Sequence, residues 1–189
     1  MPTGEVQTSA IVRHALDAGK EVFIPYLHKN PSPAAGLPAR VMDMVRLRDV
    51  EDYEGLKADK WGIPSVDPGT VGGRERVLGD EGSGLLDLIL MPGVAFDVHP
   101  QNGAIRRLGH GKGFYDYFLF RHALKAQAMG QQEDSVLLVG LALSEQFLSD
   151  DNGAGEGVVP VGPLDQPLDG LVLGDGSVKG RLGVESKTE

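Results

Sequence analysis

The stretch Arg106-Arg107-Leu108-Gly109-His110-Gly111-Lys112-Gly113-Phe114-Tyr115-Asp116 decides how the rest of the chain is read. Three glycines alternate with other residues, two arginines precede them and a lysine sits between them. An aromatic, helix-like run (Phe114, Tyr117, Phe118, Leu119) follows at once. Alternate glycines let the backbone take positive φ and come close to a ligand. A loop of this kind opening into a helix aims free N–H groups at one point, and the helix dipole favours an anion there. Arg and Lys add charge, Arg as a fork that can grip two phosphate oxygens. The local physics reads as a polyphosphate cradle. It is not a P-loop, which needs GxxxxGK followed by Ser or Thr, because Phe114 follows Gly113. An ordinary surface loop is the alternative that the pattern alone leaves open.

The cradle sits in an acidic chain of 189 residues with net charge −9. That balance argues against nucleic acid as a partner, since phosphate backbones select basic surfaces. A locally basic loop on an acidic body can instead focus a small anion. Hydrophobic residues make up 41%, enough for a core, and the length suggests one domain. There is no cysteine, so disulfides and thiolate metal sites are excluded. The longest apolar run, near Leu85 to Ala95, is too short and too broken to span a bilayer. A cytoplasmic protein is the default expectation.

Working outward, Leu85 to Met91 is the most apolar run and should be a central buried strand. Pro92-Gly93 breaks it, Val94 to Asp97 continues beyond it, and a hairpin-like turn at Gln101-Asn102-Gly103 leads into the glycine stretch. In open α/β sheets ligands sit beyond the carboxyl ends of strands, so the loop lies where a site is expected. Phe114 to about Ala128 reads as the main helix, Ser135 to Leu143 as a buried strand, and Ser144-Glu145-Gln146 as a short helix or turn. Asp150 to Gly157 reads as an acidic, glycine-rich loop. Val158 to Val161 reads as a short extended piece and Leu168 to Leu173 as the last strand. The tail from Asp175 is polar and expected to fray.

Upstream, Thr8 or Ser9 caps a short helix with Ile11, Val12, Ala15 and Leu16 on one face, ended by Gly19. Glu21 to Leu27 reads as a strand and His28 to Arg40 as a loop. Val41 to Leu47 reads as a strand with two usable faces. Residues 49–59 are charged and poorly patterned. Trp61, the only tryptophan, is either an aromatic plug at the core edge or a ring that stacks on a ligand. The alternation of strands and helices predicts an α/β fold, a layered helix–sheet–helix with a mostly parallel central sheet. The domain spans residues 1–175, with a polar tail at 176–189.

Nucleotide phosphates come with Mg²⁺, which takes one or two carboxylates and keeps several waters. Asp116 lies one helical turn beyond the loop, so its oxygen can reach a metal bridging bound phosphates. Asp97, Asp165 and Asp169 are further candidates, and each can equally be a cap or a solvated charge.

Taken together, the chain resembles the 5-formyltetrahydrofolate cyclo-ligase family. The matching pieces are Glu5-Val6-Gln7-Thr8, Val22-Phe23-Ile24-Pro25, Met42-Asp43-Met44-Val45-Arg46, Trp61-Gly62-Ile63-Pro64, Leu86-Asp87-Leu88-Ile89 with Met91 to Asp97, and the arginine–glycine stretch up to Asp116. They occur in order and cover most of residues 5–175.

The resemblance implies ATP- and Mg²⁺-dependent closure of 5-formyltetrahydrofolate to 5,10-methenyltetrahydrofolate, with release of ADP and phosphate. It implies that Arg107, Leu108, Gly109, His110, Gly111, Lys112, Gly113, Phe114 and Tyr115 hold ATP. By the same resemblance Glu5, His110, Gly111, Lys112, Gly113 and Phe114 face the folate, and Asp116 and Asp165 hold Mg²⁺. The expected partner is the folate, polyglutamylated or not, bound by a monomer with neither nucleic acid nor membrane. Family members carry a further N-terminal helix with a Lys/Arg cluster and a first strand before the pterin-binding Glu. Here Glu5 follows Met1 almost directly. The expectation is therefore a shortened relative whose Met1 matches an internal methionine, with a mitochondrial address open in a longer form. The rival expectation is a relative that binds folate or a partner without turnover.

Overall fold

The computed structural model describes residues 6–31, 38–59, 62–79, 84–131, 136–148 and 158–183. The alternation around Val41 becomes β2 (Arg40–Leu47), buried on both faces from Val41 to Val45. It pairs antiparallel with β1 (Val22–Lys29), Val22 opposite Leu47 and Lys29 opposite Arg40. His28 and Lys29, expected in a loop, are therefore strand, because pairing with Val41 and Arg40 overrides their polarity. Pro25 is tolerated inside β1 because the pair is two-stranded, so its missing N–H falls on an edge strand. Helix α1 (Ser9–Asp17) precedes the pair, with Val12, Ala15 and Leu16 half-buried and Ile11 exposed.

The charged stretch after β2 holds a helix that its pattern did not announce. In α2 (Val50–Glu54), the Asp49 carboxylate accepts from Asp52 N at 2.7 Å and Asp52 accepts from Arg48 N at 3.0 Å. Local capping thus makes up for the lack of an apolar stripe. A small antiparallel pair follows, β3 (Lys57–Ala58) with β4 (Pro64–Ser65).

The apolar run expected to be central is β5 (Leu88–Met91), and it lies at an edge. The four-stranded sheet runs β10-β9-β8-β5, with β8 (Leu137–Ala142) and β9 (Gly170–Leu173) in the middle. Apolar composition reports burial, not rank in a sheet. Ile89 and Met91 are buried, while Leu88 is 49% exposed. Pairing is parallel for β5–β8 and β8–β9, and antiparallel for β9 with β10 (Val178–Gly180). The chain is thus mixed α/β.

Strand β10 lies in the tail expected to fray. Asp175-Gly176 is a hairpin-turn dipeptide, and Leu173 N donates to Ser177 O at 2.9 Å across it. The expected hairpin forms between β6 (Ala95–Val98) and β7 (Ile105–Leu108), with Ala104 N donating to Asn102 Oδ1 at 3.1 Å in its turn. Helix α3 (Phe114–Ala128) follows directly from the glycine loop, as read. One core joins Met44, Met91, Phe96, Ile105, Phe118, Leu138 and Leu171. Each such side chain contributes about 1.5–3 kcal/mol on burial. Among the described residues no helix is long and apolar enough to cross a membrane.

Candidate functional site

An open cleft of about 2450 Å³ runs between β1, the edge strand β5 and the glycine loop. Consecutive residues of β1 (22–27), of the β5 segment (85–93) and of the loop and first turn of α3 (107–117) line it. Pro160 and residues 163–166 line it too. The cleft therefore brings together every candidate from Arg107 to Asp116, and Asp165. Glu5 and Trp61 lie outside the described residues.

The loop's glycines have distinct uses. Gly111 and Gly113 sit at φ +71° and +62°, where a Cβ would strain the backbone. Gly113 is the N-cap of α3 and offers no side chain, so the first-turn amides have no side-chain cap and lie along the cleft. That is the anion-binding end of a helix.

The charges are arranged otherwise than the sequence suggests. Arg106 is spent on Asp97, to which its Nε donates at 2.6 Å. Arg107 Nη2 donates to both oxygens of Asp116 at 3.1 Å, and Nη1 reaches Pro92 O at 3.3 Å. Its guanidinium also lies 5.8 Å from the Tyr115 ring centre. The Arg107 side chain is 8% exposed, yet its Nε has no hydrogen-bond partner. Lys112 is exposed on the loop and is in no ion pair among the described residues. The focused positive charge is thus Lys112 plus helix amides, with Arg107 as a strut whose charge Asp116 offsets. Burial pushes the Tyr115 phenol up to about 12, against the opposing pull of Arg107, so it stays protonated.

The four candidate carboxylates separate cleanly. Asp97 is buried, accepting from Arg106 and from Val159 N at 2.9 Å. Asp169 accepts from Leu138 N at 2.9 Å. Both staple the fold. Asp116 and Asp165 line the cleft, and Asp165 also closes a turn by accepting from Gly162 N at 2.7 Å. Among the described residues no three acidic or histidine side chains cluster as a metal cage. Carboxylates are the ligand type that Mg²⁺ takes, and it needs only one or two of them, completing its shell with phosphate and water. In this structure both Asp116 oxygens accept from Arg107.

Sequence reading missed part of the lining. Tyr117 and Phe120 face the cleft, as does the exposed segment around Leu164. The signal was present in α3. Phe118, Leu119, His122 and Ala126 form its buried face, and Tyr117, Phe120 and Leu124 form an apolar stripe on the other side. Gln146 was also missed. Its amide Nε2 donates to Gly93 O at 2.8 Å and fixes the turn after β5.

The family model for 5-formyltetrahydrofolate cyclo-ligases matches residues 1–174. A Caenorhabditis elegans protein named probable 5-formyltetrahydrofolate cyclo-ligase is 35% identical over 170 residues, covering 90% of this chain and 68% of that one. A Schizosaccharomyces pombe protein of the same name is 34% identical over 175 residues, covering 91% and 70%. The Saccharomyces cerevisiae 5-formyltetrahydrofolate cyclo-ligase is 32% identical over 188 residues, covering 94% and 74%.

Proposed function

The chain belongs to the 5-formyltetrahydrofolate cyclo-ligase family, and on that premise we propose that it closes 5-formyltetrahydrofolate to 5,10-methenyltetrahydrofolate at the expense of ATP. The formyl oxygen attacks the γ-phosphorus and ADP leaves. N10 then attacks the activated formyl carbon and loses its proton. The carbon–oxygen bond breaks, and the former formyl oxygen departs in phosphate. The cationic methenyl product remains.

Such chemistry asks the protein mostly for positioning and for charge near the transferring phosphoryl group. In this reading the loop from Arg107 to Tyr115 holds the nucleotide, with Arg107 as the strut that shapes it and the α3 amides and Lys112 on the phosphate oxygens. Residues His110 to Phe114 border the folate, and Glu5 takes the pterin N–H groups. Asp116 and Asp165 would hold Mg²⁺, which supplies neutralisation of the phosphate oxygens when bound. Tyr115, kept neutral, is an O–H donor beside the loop. The observation that carries the reading is the uncapped helix start behind Gly113 in one cleft with Lys112, Asp116 and Asp165.

The test is ATP-dependent appearance of the methenyl absorbance band from 5-formyltetrahydrofolate, with stoichiometric ADP. Folate binding without that band would replace the enzyme by a binding protein.

A further inference from the structure

Helix α3 is apolar on two sides, and only one side is in the core. On the other, the Tyr117 and Phe120 rings stack with centroids 6.4 Å apart and planes 23° from parallel. Phe120 is 56% exposed, and both rings line the cleft. An exposed phenylalanine stacked on a tyrosine inside a cleft is an unused flat surface. The Arg121 guanidinium lies 5.9 Å from the Tyr117 ring centre. No carboxylate pairs with Arg121 among the described residues, and its buried Nη1 has no hydrogen-bond partner. A flat apolar face beside an unspent guanidinium calls for an aromatic ring that carries a carboxylate.

We propose that the Tyr117–Phe120 face of α3, flanked by Arg121, is the subsite for the aminobenzoyl-glutamate end of the folate. The benzoyl ring lies on Phe120, and a glutamate carboxylate meets Arg121. The assignment rests on the proposed function for the identity of the substrate. Position supports it. N10, the atom that must reach the activated formyl carbon, itself bears the aminobenzoyl ring. With the formyl group at the phosphate cradle, that ring falls one to two helical turns along α3, each about 5.4 Å. Charge decides against the competing occupant. The adenine end of ATP is also flat, but it brings no anion for Arg121.

Two measurements test this. The first is calorimetry with p-aminobenzoyl-L-glutamate and, separately, with ATP. The second is steady-state kinetics with 5-formyltetrahydrofolate. Phe120→Ala should weaken the fragment and raise the folate KM about three- to tenfold, the size of an aromatic pair. ATP affinity and kcat should stay at the parent values, because uniform binding is what is lost. Phe120→Tyr should restore the parent values, since it keeps the flat ring. Arg121→Gln should raise the folate KM several-fold, and Arg121→Lys should recover part of it.

If ATP affinity falls while the fragment binds as before, the face is an adenine platform and the proposal is overturned. Unchanged binding of both ligands in Phe120→Ala overturns it as well. A thermal melt of each variant, with Phe120→Tyr as the matched control, separates loss of fold from loss of ligand. The fragment titration needs no turnover. A parent chain that binds the fragment but forms no methenyl product would therefore defeat the proposed function and leave the subsite standing.

Discussion

Arg107 and Asp116 are bonded to each other, with Nη2 of the arginine donating to both carboxylate oxygens at 3.1 Å. One residue lies in β7, the strand that leads into the glycine loop, and the other belongs to the first turn of α3, so the pair clamps the loop at both ends. The clamp keeps the basic residue from acting as a free phosphate ligand and turns a carboxylate toward the same cleft.

Asp116→Asn is predicted to separate these two roles. Arg107 is almost fully buried, so loss of its charged partner should cost about 1–3 kcal/mol of stability. Mg²⁺-dependent nucleotide binding should weaken, while metal-free binding should hold, since a negative charge beside the phosphates is gone. Calorimetry with and without Mg²⁺ checks this. Equal loss in both conditions would leave Asp116 a structural role only.

Lys112→Ala should weaken ATP binding by about 1.5–3 kcal/mol, the range of a charge-assisted hydrogen bond. Because Lys112 is exposed, its removal should leave the melting temperature alone. An unchanged ATP affinity would remove the lysine from the cradle.

Gly113→Ala tests the backbone argument. A Cβ there meets nothing within 4 Å, so the only penalty is the left-handed conformation at φ +62°. That penalty is about 1–2 kcal/mol for alanine and smaller for asparagine. The melt of Gly113→Ala should therefore fall below that of Gly113→Asn. Two equal melts would mean that the loop takes another conformation in solution.

The parts of this fold legible in sequence were those set by local signals. The glycine loop, α3 and the hairpin at Asn102 follow from glycine positions and periodicity, and they hold in the structure. What escaped was decided by distant partners. The edge position of β5 depends on the one strand that reaches it, β8, whose Leu137 pairs with Leu88, and its own Leu-Ile-Leu-Met run carries no trace of that. At the site, sequence identified Arg106 and Arg107 as basic but could not show that Asp97 and Asp116 neutralise them. The Phe120 stripe was readable in principle. It went unread because the run from Phe114 was read only as a helix, with no face assigned, and its buried face is set by Phe118, Leu119, His122 and Ala126 packing against distant elements.

His122 provides a pH test of the packing behind the site. It is 2% exposed on the core face of α3, and its Nε2 accepts the Leu86 N–H at 3.1 Å in the segment leading to β5. That bond requires a neutral ring with Nε2 unprotonated. Burial lowers the His122 pKa, and the nearby Lys125 ammonium lowers it further. A lowered folded pKa means that the unfolded chain binds the proton more readily. The stabilisation is thus fully present above the unfolded value of about 6.5. It declines as pH drops below that value and is lost once pH has passed the lowered folded one. The melting temperature should accordingly fall between pH 7.5 and pH 5. His122→Gln offers an amide oxygen that can accept the same N–H without titrating, so its melting curve should be flatter over that range. The other described histidines are common to both proteins, so the difference between the two curves isolates this ring. If parent and variant lose stability in parallel between pH 7.5 and pH 5, His122 does not carry the acid sensitivity of the fold.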